Sequence, residues 1–126
     1  MSTLVGACHC GAVTVTLPDD AFGVVLCHCG DCQRLHGNAF AMLVADPAQV
    51  HWQGEAHIGR YRSSERAERT FCTHCGSRLA KEPVGAARVM ISVGLFPADL
   101  PRRIRKHVFE HSKPAWYDLP AVEEMP

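Results

Sequence analysis

The sequence predicts a mainly β protein that forms one small domain of short antiparallel strands. Apolar and polar residues alternate in several short stretches, as they do in strands that bury one face. Glycine and proline interrupt the chain at short intervals, and almost no stretch shows helical periodicity. The 126 residues suit a single hydrophobic core, and no repeat or linker divides them. We therefore expect one domain over residues 1–126.

The strand predictions follow from the alternation. Val13, Val15 and Leu17 alternate with threonines, so residues 4–17 are predicted to form a hairpin. Further strands are predicted at residues 22–26, 40–44, 50–52, 57–61 and 88–95. Between them we expect turns at 18–20 and 97–100, one helical turn at 33–36, and a polar, exposed loop at 60–68. The tail, residues 102–126, has a basic start and an acidic end.

Composition excludes some classes of function. Lys plus Arg and Asp plus Glu both number 13, so the formal net charge is zero. This balance gives no electrostatic footprint for nucleic acid or for an anionic membrane. No window approaches the ~18 apolar residues of a membrane span, and the first residues do not resemble a signal peptide. We therefore expect a cytoplasmic protein that binds neither nucleic acid nor membrane.

Seven cysteines are the most informative feature of the composition. In the cytosol a disulfide framework is not expected. Their odd number and tight clustering favour metal ligands. The sequence thus predicts an intracellular metalloprotein.

Cys27, Cys29 and Cys32 form the central cluster. Cys27 and Cys29 are expected on one face of a strand that ends here, and the turn-forming pair Gly30–Asp31 would return the chain so that Cys32 reaches the same point. Structural zinc normally has four protein ligands, whereas catalytic zinc keeps three and leaves one position for water or substrate. The function depends on whether this cluster is open or is closed by a histidine.

The other four cysteines form two pairs, Cys8/Cys10 and Cys72/Cys75. The second pair belongs to Cys-x-x-Cys-Gly, a zinc-knuckle pattern in which glycine accepts the left-handed conformation. Together the pairs predict one closed tetrahedral site, and the central cluster predicts a second metal. Spacing alone leaves two alternatives: Cys72/Cys75 joined to two of the central cysteines, and an iron–sulfur cluster on four thiolates.

Eight histidines accompany the cysteines. Those placed between ligands are expected at the surface or in hydrogen bonds: His9, His28 and His74. His36, His107 and His111 are candidates for a fourth ligand or for a proton carrier.

Three cysteine blocks carry a family resemblance. Residues 6–13, residues 27–34 with Gly37, and residues 71–77 resemble the glutathione-dependent formaldehyde-activating enzyme (GFA) family, which includes centromere-protein-V-like proteins. The resemblance covers nearly the whole chain. It implies a β-tent fold with two zinc ions, a structural one on Cys8, Cys10, Cys72 and Cys75, and a catalytic one on Cys27, Cys29 and Cys32. The chain is shorter than the formaldehyde-processing members of the family, and the difference concerns segments that would recognise glutathione. The resemblance therefore predicts the fold and the metals better than it predicts the substrate.

The chemistry of an open three-cysteine site predicts a sulfur substrate, because a soft thiolate competes well for the vacant position on zinc. The reaction that fits is the making or breaking of a carbon–sulfur bond in a thiol–aldehyde adduct. The family reaction, glutathione plus formaldehyde giving S-hydroxymethylglutathione, is one instance. The competing hypothesis is a non-enzymatic, zinc-stabilised protein-binding module.

Two features of the tail bear on the substrate. The basic run at 102–106 is interpreted as a solvated face, with pairing to substrate carboxylates as the alternative. Trp116 and Tyr117 fit two interpretations equally well, a pocket wall and packing in the core or at its rim.

Overall fold

A computed structural model of the chain describes residues 2–19 and 23–123. Within these residues the chain forms ten strands, one α-helix and four short 3₁₀ helices. The strands are β1 (Thr3–Ala7), β2 (Thr14–Pro18), β3 (Val24–Cys27), β4 (Phe40–Ala45), β5 (His51–Gln53), β6 (Ile58–Ser64), β7 (Ala67–Cys72), β8 (Arg78–Pro83), β9 (Val89–Ser92) and β10 (Ile104–Val108). The α-helix is α1 (Gly30–His36), and the 3₁₀ helices are Pro47–Gln49, Glu55–His57, Val93–Leu95 and Glu110–Ser112.

The strands form two sheets, and the predicted mainly β fold is confirmed. The smaller sheet has the order β1-β2-β5, and the larger has the order β10-β3-β4-β9-β8-β7-β6. Every pairing of described strands is antiparallel except that of β10 with β3, which is parallel. The tail therefore contributes an edge strand that the sequence pattern did not predict.

The main core lies between the two sheets. Val15 and Leu17 of β2 pack with apolar residues of the larger sheet, among them Leu26, Leu43 and Ile91. Val15 and Leu17 are buried while the threonines between them are half-buried, as the alternation in this stretch predicts. Burial of this apolar surface is what holds the smaller sheet against the larger one.

The opposite face of the larger sheet, which we call the outer face, carries a second set of side chains. Val25 pairs with Met42 and Cys27 pairs with Phe40, and these four residues pack together with Cys32 of α1. Since side chains alternate along a strand, residues that face the main core cannot also face this side. The helix covers one end of the outer face and leaves the rest open.

Several element boundaries differ from the predictions. The strand expected at 22–26 begins at Val24, and its predicted first residue lies outside the described residues, as does residue 20 of the turn expected at 18–20. The expected helical turn at 33–36 is a longer helix, because it already begins at Gly30. The predicted loop at 60–68 is wrong: it contains the hairpin of β6 and β7, in which Arg60 pairs with Thr70 in register. β6 is the edge strand of the larger sheet, and its arginines, Arg60 and Arg62, are exposed although the backbone is paired.

Candidate metal centres and the adjoining cleft

Two distant turns bring together four cysteines: Cys8, Cys10, Cys72 and Cys75. The first turn follows β1 and the second follows β7. Each turn ends at a left-handed glycine, Gly11 (φ 80°) or Gly76 (φ 79°). The amide of each glycine donates to the carbonyl of the first cysteine in its turn, at 3.0 and 2.8 Å. The left-handed conformation predicted for the glycine of the second turn is confirmed.

The spacing of these four sulfurs fits a tetrahedral zinc ion. All four Sγ atoms lie within 4.8 Å of one another. The Cys8 and Cys10 sulfurs are 3.7 Å apart, and the Cys10 and Cys72 sulfurs are 3.8 Å apart. Zinc–sulfur bonds of about 2.3 Å in a tetrahedron require sulfur–sulfur distances of about 3.8 Å. The cluster is therefore compatible with zinc.

Hydrogen bonds orient the sulfurs and connect the two turns. The Val13 amide donates to Cys8 Sγ at 3.3 Å. The Ser77 hydroxyl lies 3.2 Å from Cys75 Sγ and accepts a bond of 3.0 Å from the His9 amide. The hydroxyl hydrogen bond from Ser77, with a backbone bond from the same residue, lowers the pKa of the Cys75 thiol to about 5. Such donors favour the thiolate form that a metal requires.

A second cluster joins the end of β3 to α1, and it consists of Cys27, Cys29 and Cys32. Their three sulfurs also lie within 4.8 Å of one another. Cys27 ends β3, and Cys29 caps the helix by accepting a hydrogen bond of 3.4 Å from the Cys32 amide. The expected turn at Gly30–Asp31 is instead the first turn of the helix. The sulfurs converge through the helix cap rather than through strand alternation.

The ionisation of these sulfurs is mutually dependent. The hydrogen bond with Cys32 lowers the pKa of the Cys27 thiol. The same bond, together with burial, raises the pKa of Cys32. The buried sulfurs do not readily ionise together on their own, whereas a coordinated dication stabilises thiolates. This donor set of three soft sulfurs also fits zinc.

The second cluster has three sulfurs and, among the described residues, no fourth ligand. In the part of the chain that the structure describes, no further Cys, His, Asp or Glu ligand atom lies within 4.8 Å of all three sulfurs. His36 stacks on the Phe40 ring with centroids 4.2 Å apart, and the His111 ring lies 6.2 Å from that of Phe109. None of the three histidines that were candidates for a fourth ligand joins the sulfurs.

His28 and His107 form a hydrogen-bonded pair instead. His28 is fully buried, and its Nε2 lies 2.8 Å from His107 Nδ1. His107 Nε2 lies 2.8 Å from the Pro120 carbonyl oxygen. Because a carbonyl only accepts, His107 donates from Nε2 and accepts at Nδ1 from His28. Of the two expected environments for His28, surface or hydrogen bond, the structure shows the hydrogen bond, and β10 and the tail cover the ring.

Arg69 contacts the second cluster and was not singled out from the sequence. Its Nη1 and Nη2 lie 3.6 and 3.7 Å from Cys32 Sγ, and its Nε donates to the Ser63 hydroxyl at 3.2 Å. The side chain is buried, although it directly follows the stretch 60–68 that was expected to be an exposed loop. Only the pairing of β7 within the sheet brings it under α1.

A cleft of about 610 Å³ opens over the rest of the outer face. Its floor is apolar and includes Val25, Met42 and Met90, and Cys27 lies in its wall. Lys81, Arg88 and Lys106 also line it. The cleft thus places one cysteine of the second cluster beside three cations, although Cys27 itself is only 2% exposed. Its volume is in the range of small-molecule sites.

The cations of the cleft lack carboxylate partners. Among the described residues, Lys81, Arg88 and Lys106 form no ion pair, whereas Arg102 pairs with Asp19 and Arg103 pairs with Glu123. The interpretation of 102–106 as one solvated face is therefore wrong for Arg102, whose side chain is only 7% exposed. Lys106 is the member of this run that reaches the cleft.

The aromatic pair of the tail lies elsewhere. Trp116 is 72% exposed, and its ring meets that of Tyr117 edge-on, with centroids 5.9 Å apart. Neither residue lines the cleft. Trp116 is therefore not a core residue, and the pair does not form a wall of this cleft.

Comparison with known proteins assigns the family. Residues 3–112 match the sequence profile described as "Glutathione-dependent formaldehyde-activating enzyme". The chain belongs to this GFA family. The match contains both cysteine clusters, and it confirms the resemblance carried by the three cysteine blocks. No helix in the described residues is long and apolar enough to cross a membrane.

Two individual proteins are similar to this GFA family member. A curated protein of Halomonas elongata, named as a putative glutathione-dependent formaldehyde-activating enzyme, is 29% identical over 133 residues, which cover 96% of this chain and 83% of that protein. A crystal structure of a Rhodobacter sphaeroides protein superposes with a TM-score of 0.67 at 20% identity, covering 82% of this chain and 99% of that one. The second likeness supports the fold.

Proposed function

We propose that this GFA family member is a zinc-dependent carbon–sulfur lyase or synthase acting on a thiol–aldehyde adduct of the glutathione type. Cys27, Cys29 and Cys32 would hold the catalytic zinc, and the four-cysteine cluster would hold a structural one. The observation that carries the proposal is the three-sulfur cluster without a fourth ligand among the described residues, with Cys27 in the wall of the cleft. The family name supplies the thiol and the aldehyde.

When bound, zinc on three thiolates supplies a Lewis acid with an open position that can hold a substrate sulfur in its thiolate form. The protein's own contribution is to hold the three sulfurs in place through the end of β3 and the capped start of α1. Gln33 reinforces this start by donating to the carbonyls of His28 and Ser112, at 2.8 and 2.6 Å. A fixed ligand geometry is what keeps a catalytic metal site open rather than collapsed.

The cleft fits a substrate that is apolar near the sulfur and anionic farther away. Met42, Met90 and Val25 would make the surroundings of Cys27 apolar. Lys81 and Lys106, which pair with no carboxylate of the described residues, would bind substrate carboxylates. Glutathione carries two carboxylates. Orientation by such contacts converts the encounter of thiol and aldehyde into a reaction between aligned groups.

The bond changes balance without any redox partner. In the synthetic direction the thiol loses its proton, and a sulfur electron pair forms the bond to the aldehyde carbon. The π electrons of the carbonyl move to oxygen, which takes up a proton to give the hydroxymethyl group. The lyase direction reverses each step.

The test measures metal content and turnover together. The wild type should contain two zinc ions per chain and accelerate formation of S-hydroxymethylglutathione, followed by exchange NMR with ¹³C-formaldehyde. Cys29→Ser should keep its fold and one zinc but lose turnover by about 100-fold or more. Lys106→Met is the matched probe of the cleft: it should raise KM for glutathione but not for its dimethyl ester.

Two outcomes would contradict the proposal. A wild-type protein that holds two zinc ions yet processes no thiol adduct would favour the non-enzymatic, protein-binding module. Equal turnover by Cys29→Ser and the wild type would remove the second cluster from the reaction.

A further inference from the structure

We propose that Arg69 is a positioning residue of the three-cysteine centre, where its buried guanidinium compensates the negative charge of the metal–thiolate cluster and so admits an anionic substrate sulfur. This inference rests on the proposed function in taking the three cysteines as zinc ligands. Its measurable consequence for metal binding does not depend on turnover.

The first support is burial. Arg69 is 5% exposed, yet arginine is almost never fully buried in proteins unless it is paired. Taking a guanidinium out of water carries a large desolvation penalty, so a negative partner is expected close by. The charge on Arg69 therefore has to be balanced within the outer face.

The second support is the identity of the partner. Other arginines pair with carboxylates: Arg60 with Glu68 and Glu82, Arg102 with Asp19, and Arg103 with Glu123. Arg69 forms no such pair with any carboxylate in the described ranges. Its partners are the neutral Ser63 hydroxyl and Cys32 Sγ, which both terminal nitrogens approach at 3.6 and 3.7 Å. Of these two partners, Cys32 Sγ is the one that can carry negative charge, as a thiolate of a metal-bound cluster.

The third support is position within the sheet. Arg69 pairs in register with Lys81, which pairs with Met90, so all three project from the outer face that holds the cleft. The register of β7 with β8 shifts between Thr70 and Phe71. Beyond this shift β7 ends at Cys72. The same strand therefore contributes Cys72 to the four-cysteine cluster and places Arg69 against the three-cysteine cluster.

The charge balance explains why a cation is needed. Three thiolates and one divalent metal sum to about −1, and a substrate thiolate would bring the sum to about −2. The positive charge of Arg69 makes each total less negative by one unit. The low dielectric of the buried site strengthens this electrostatic stabilisation. The guanidinium also fixes Cys32 by approaching it with two donors, as outer partners of metal ligands commonly do.

The experiment replaces Arg69 and measures the two metal centres separately. The proteins are the wild type, Arg69→Met, which keeps length without charge, and Arg69→Lys, which keeps charge without the planar fork. Arg62→Met is the matched control, because Arg62 is an exposed arginine of the neighbouring strand that donates to the Glu65 carbonyl. Chelator competition gives the affinity of each zinc equivalent, and Co²⁺ substitution gives the thiolate-to-metal charge-transfer bands of each site.

We expect Arg69→Met to lower the affinity for one of the two zinc ions by about 10- to 100-fold. It should shift the Co²⁺ charge-transfer bands of that site only. Arg69→Lys should recover affinity to within about threefold of the wild type, and Arg62→Met should match the wild type. KM for the thiol adduct should rise in Arg69→Met more than kcat falls, because charge balance governs entry of the anionic sulfur.

Equal affinities for both equivalents in Arg69→Met and the wild type would overturn the inference. If Arg69→Met does not fold, Arg69→Lys provides the test. A folded lysine variant that no longer binds zinc at the three-cysteine site would contradict charge compensation. Absence of turnover in the wild type, with selective metal loss in Arg69→Met, would remove the proposed function and leave this inference standing.

Discussion

The sulfur atoms of Cys10 and Cys72 lie 3.8 Å apart although 62 positions separate them in the chain. One residue belongs to the smaller sheet's first turn and the other to a strand of the larger sheet. A metal at this point therefore connects the two sheets at the edge of their shared core. Because an unfolded chain lacks such a site, metal binding there adds to folding stability.

Replacing a ligand at this connection should destabilise the protein strongly. We expect Cys10→Ser to lose one zinc equivalent and to lower the free energy of unfolding by several kcal/mol, since structural zinc contributes on the order of 10 kcal/mol in small domains. Thermal unfolding with metal analysis measures both effects. Cys29→Ser should retain this zinc and unfold within a few degrees of the wild type. Equal melting of Cys10→Ser and the wild type would contradict a structural role for the cluster.

Gly54 lies against Ala12, which follows the first cysteine turn. It has a φ of 84°, and a Cβ added there would collide with the Ala12 carbonyl oxygen. The following 3₁₀ helix ends at His57, whose carbonyl accepts a bond of 2.8 Å from the Thr73 amide in the second cysteine turn. We expect Gly54→Ala to destabilise by about 3 kcal/mol, from left-handed strain together with the backbone shift.

Gly94 provides the matched glycine control. It has no positive φ and no atom within 4 Å of an added Cβ. Gly94→Ala should change stability by less than about 0.5 kcal/mol in denaturant titrations. Equal effects of the two substitutions would show that Gly54 is not under the steric restriction described here.

Phe109 is a non-glycine residue with left-handed backbone (φ 56°, ψ 42°) at the rim of the cleft. Its side chain is 54% exposed, so packing does not fully offset the strain. Phe109→Gly and Phe109→Ala both remove the ring, so the difference in their stability reports the backbone strain alone. Phe109→Gly should be more stable than Phe109→Ala by about 1 kcal/mol. This order is the reverse of the usual one, and chemical denaturation measures it. A more stable alanine variant would mean that the left-handed conformation is not retained in solution.

His36 predicts a pH dependence of stability. Burial, with the nearby charges of Arg69 and Arg78, lowers the pKa of His36 from 6.5 to about 4. Between these values the unfolded chain binds more protons than the folded one, so the free energy of unfolding falls as the pH decreases from about 6.5 to about 4. His36→Gln should lose less stability over this interval than the wild type. Denaturant titrations at pH 7 and pH 5 measure the difference, and parallel losses in both proteins would contradict the prediction.

The cysteine clusters show which features of the candidate site can be predicted from sequence spacing. The pairs at 8/10 and 72/75 have short spacings that hold two ligands on one turn, and each turn carries its own glycine signal. Their partition from the central three is as predicted, because each cluster lies where its own strands end. Spacing did not reveal that Cys29 caps a helix, since Gly30 and Asp31 suit a turn as well as a helix start.

The burial of Arg69 and the lining of the cleft could not be predicted from sequence spacing. Nothing near Arg69 in the sequence distinguishes it from Arg60 or Arg66, because its burial follows from the register of β7 with β8 and from the helix above it. The cations of the cleft come from β8, β10 and the residue just before β9, and their gathering depends on the strand order of the larger sheet.

The sequence by itself determined the mainly β class and, through its three cysteine blocks, the family, because alternation and short motifs are local properties of the chain. Spacing favoured the division of the cysteines into four and three without excluding another partition, and the structure places the sulfurs in those two groups. Only the tertiary structure decided which face of the larger sheet is open, which arginine is buried against a sulfur, and which lysines meet in the cleft. These depend on pairing between strands that are far apart in the chain, where burial and unpaired charge are set by neighbours in space.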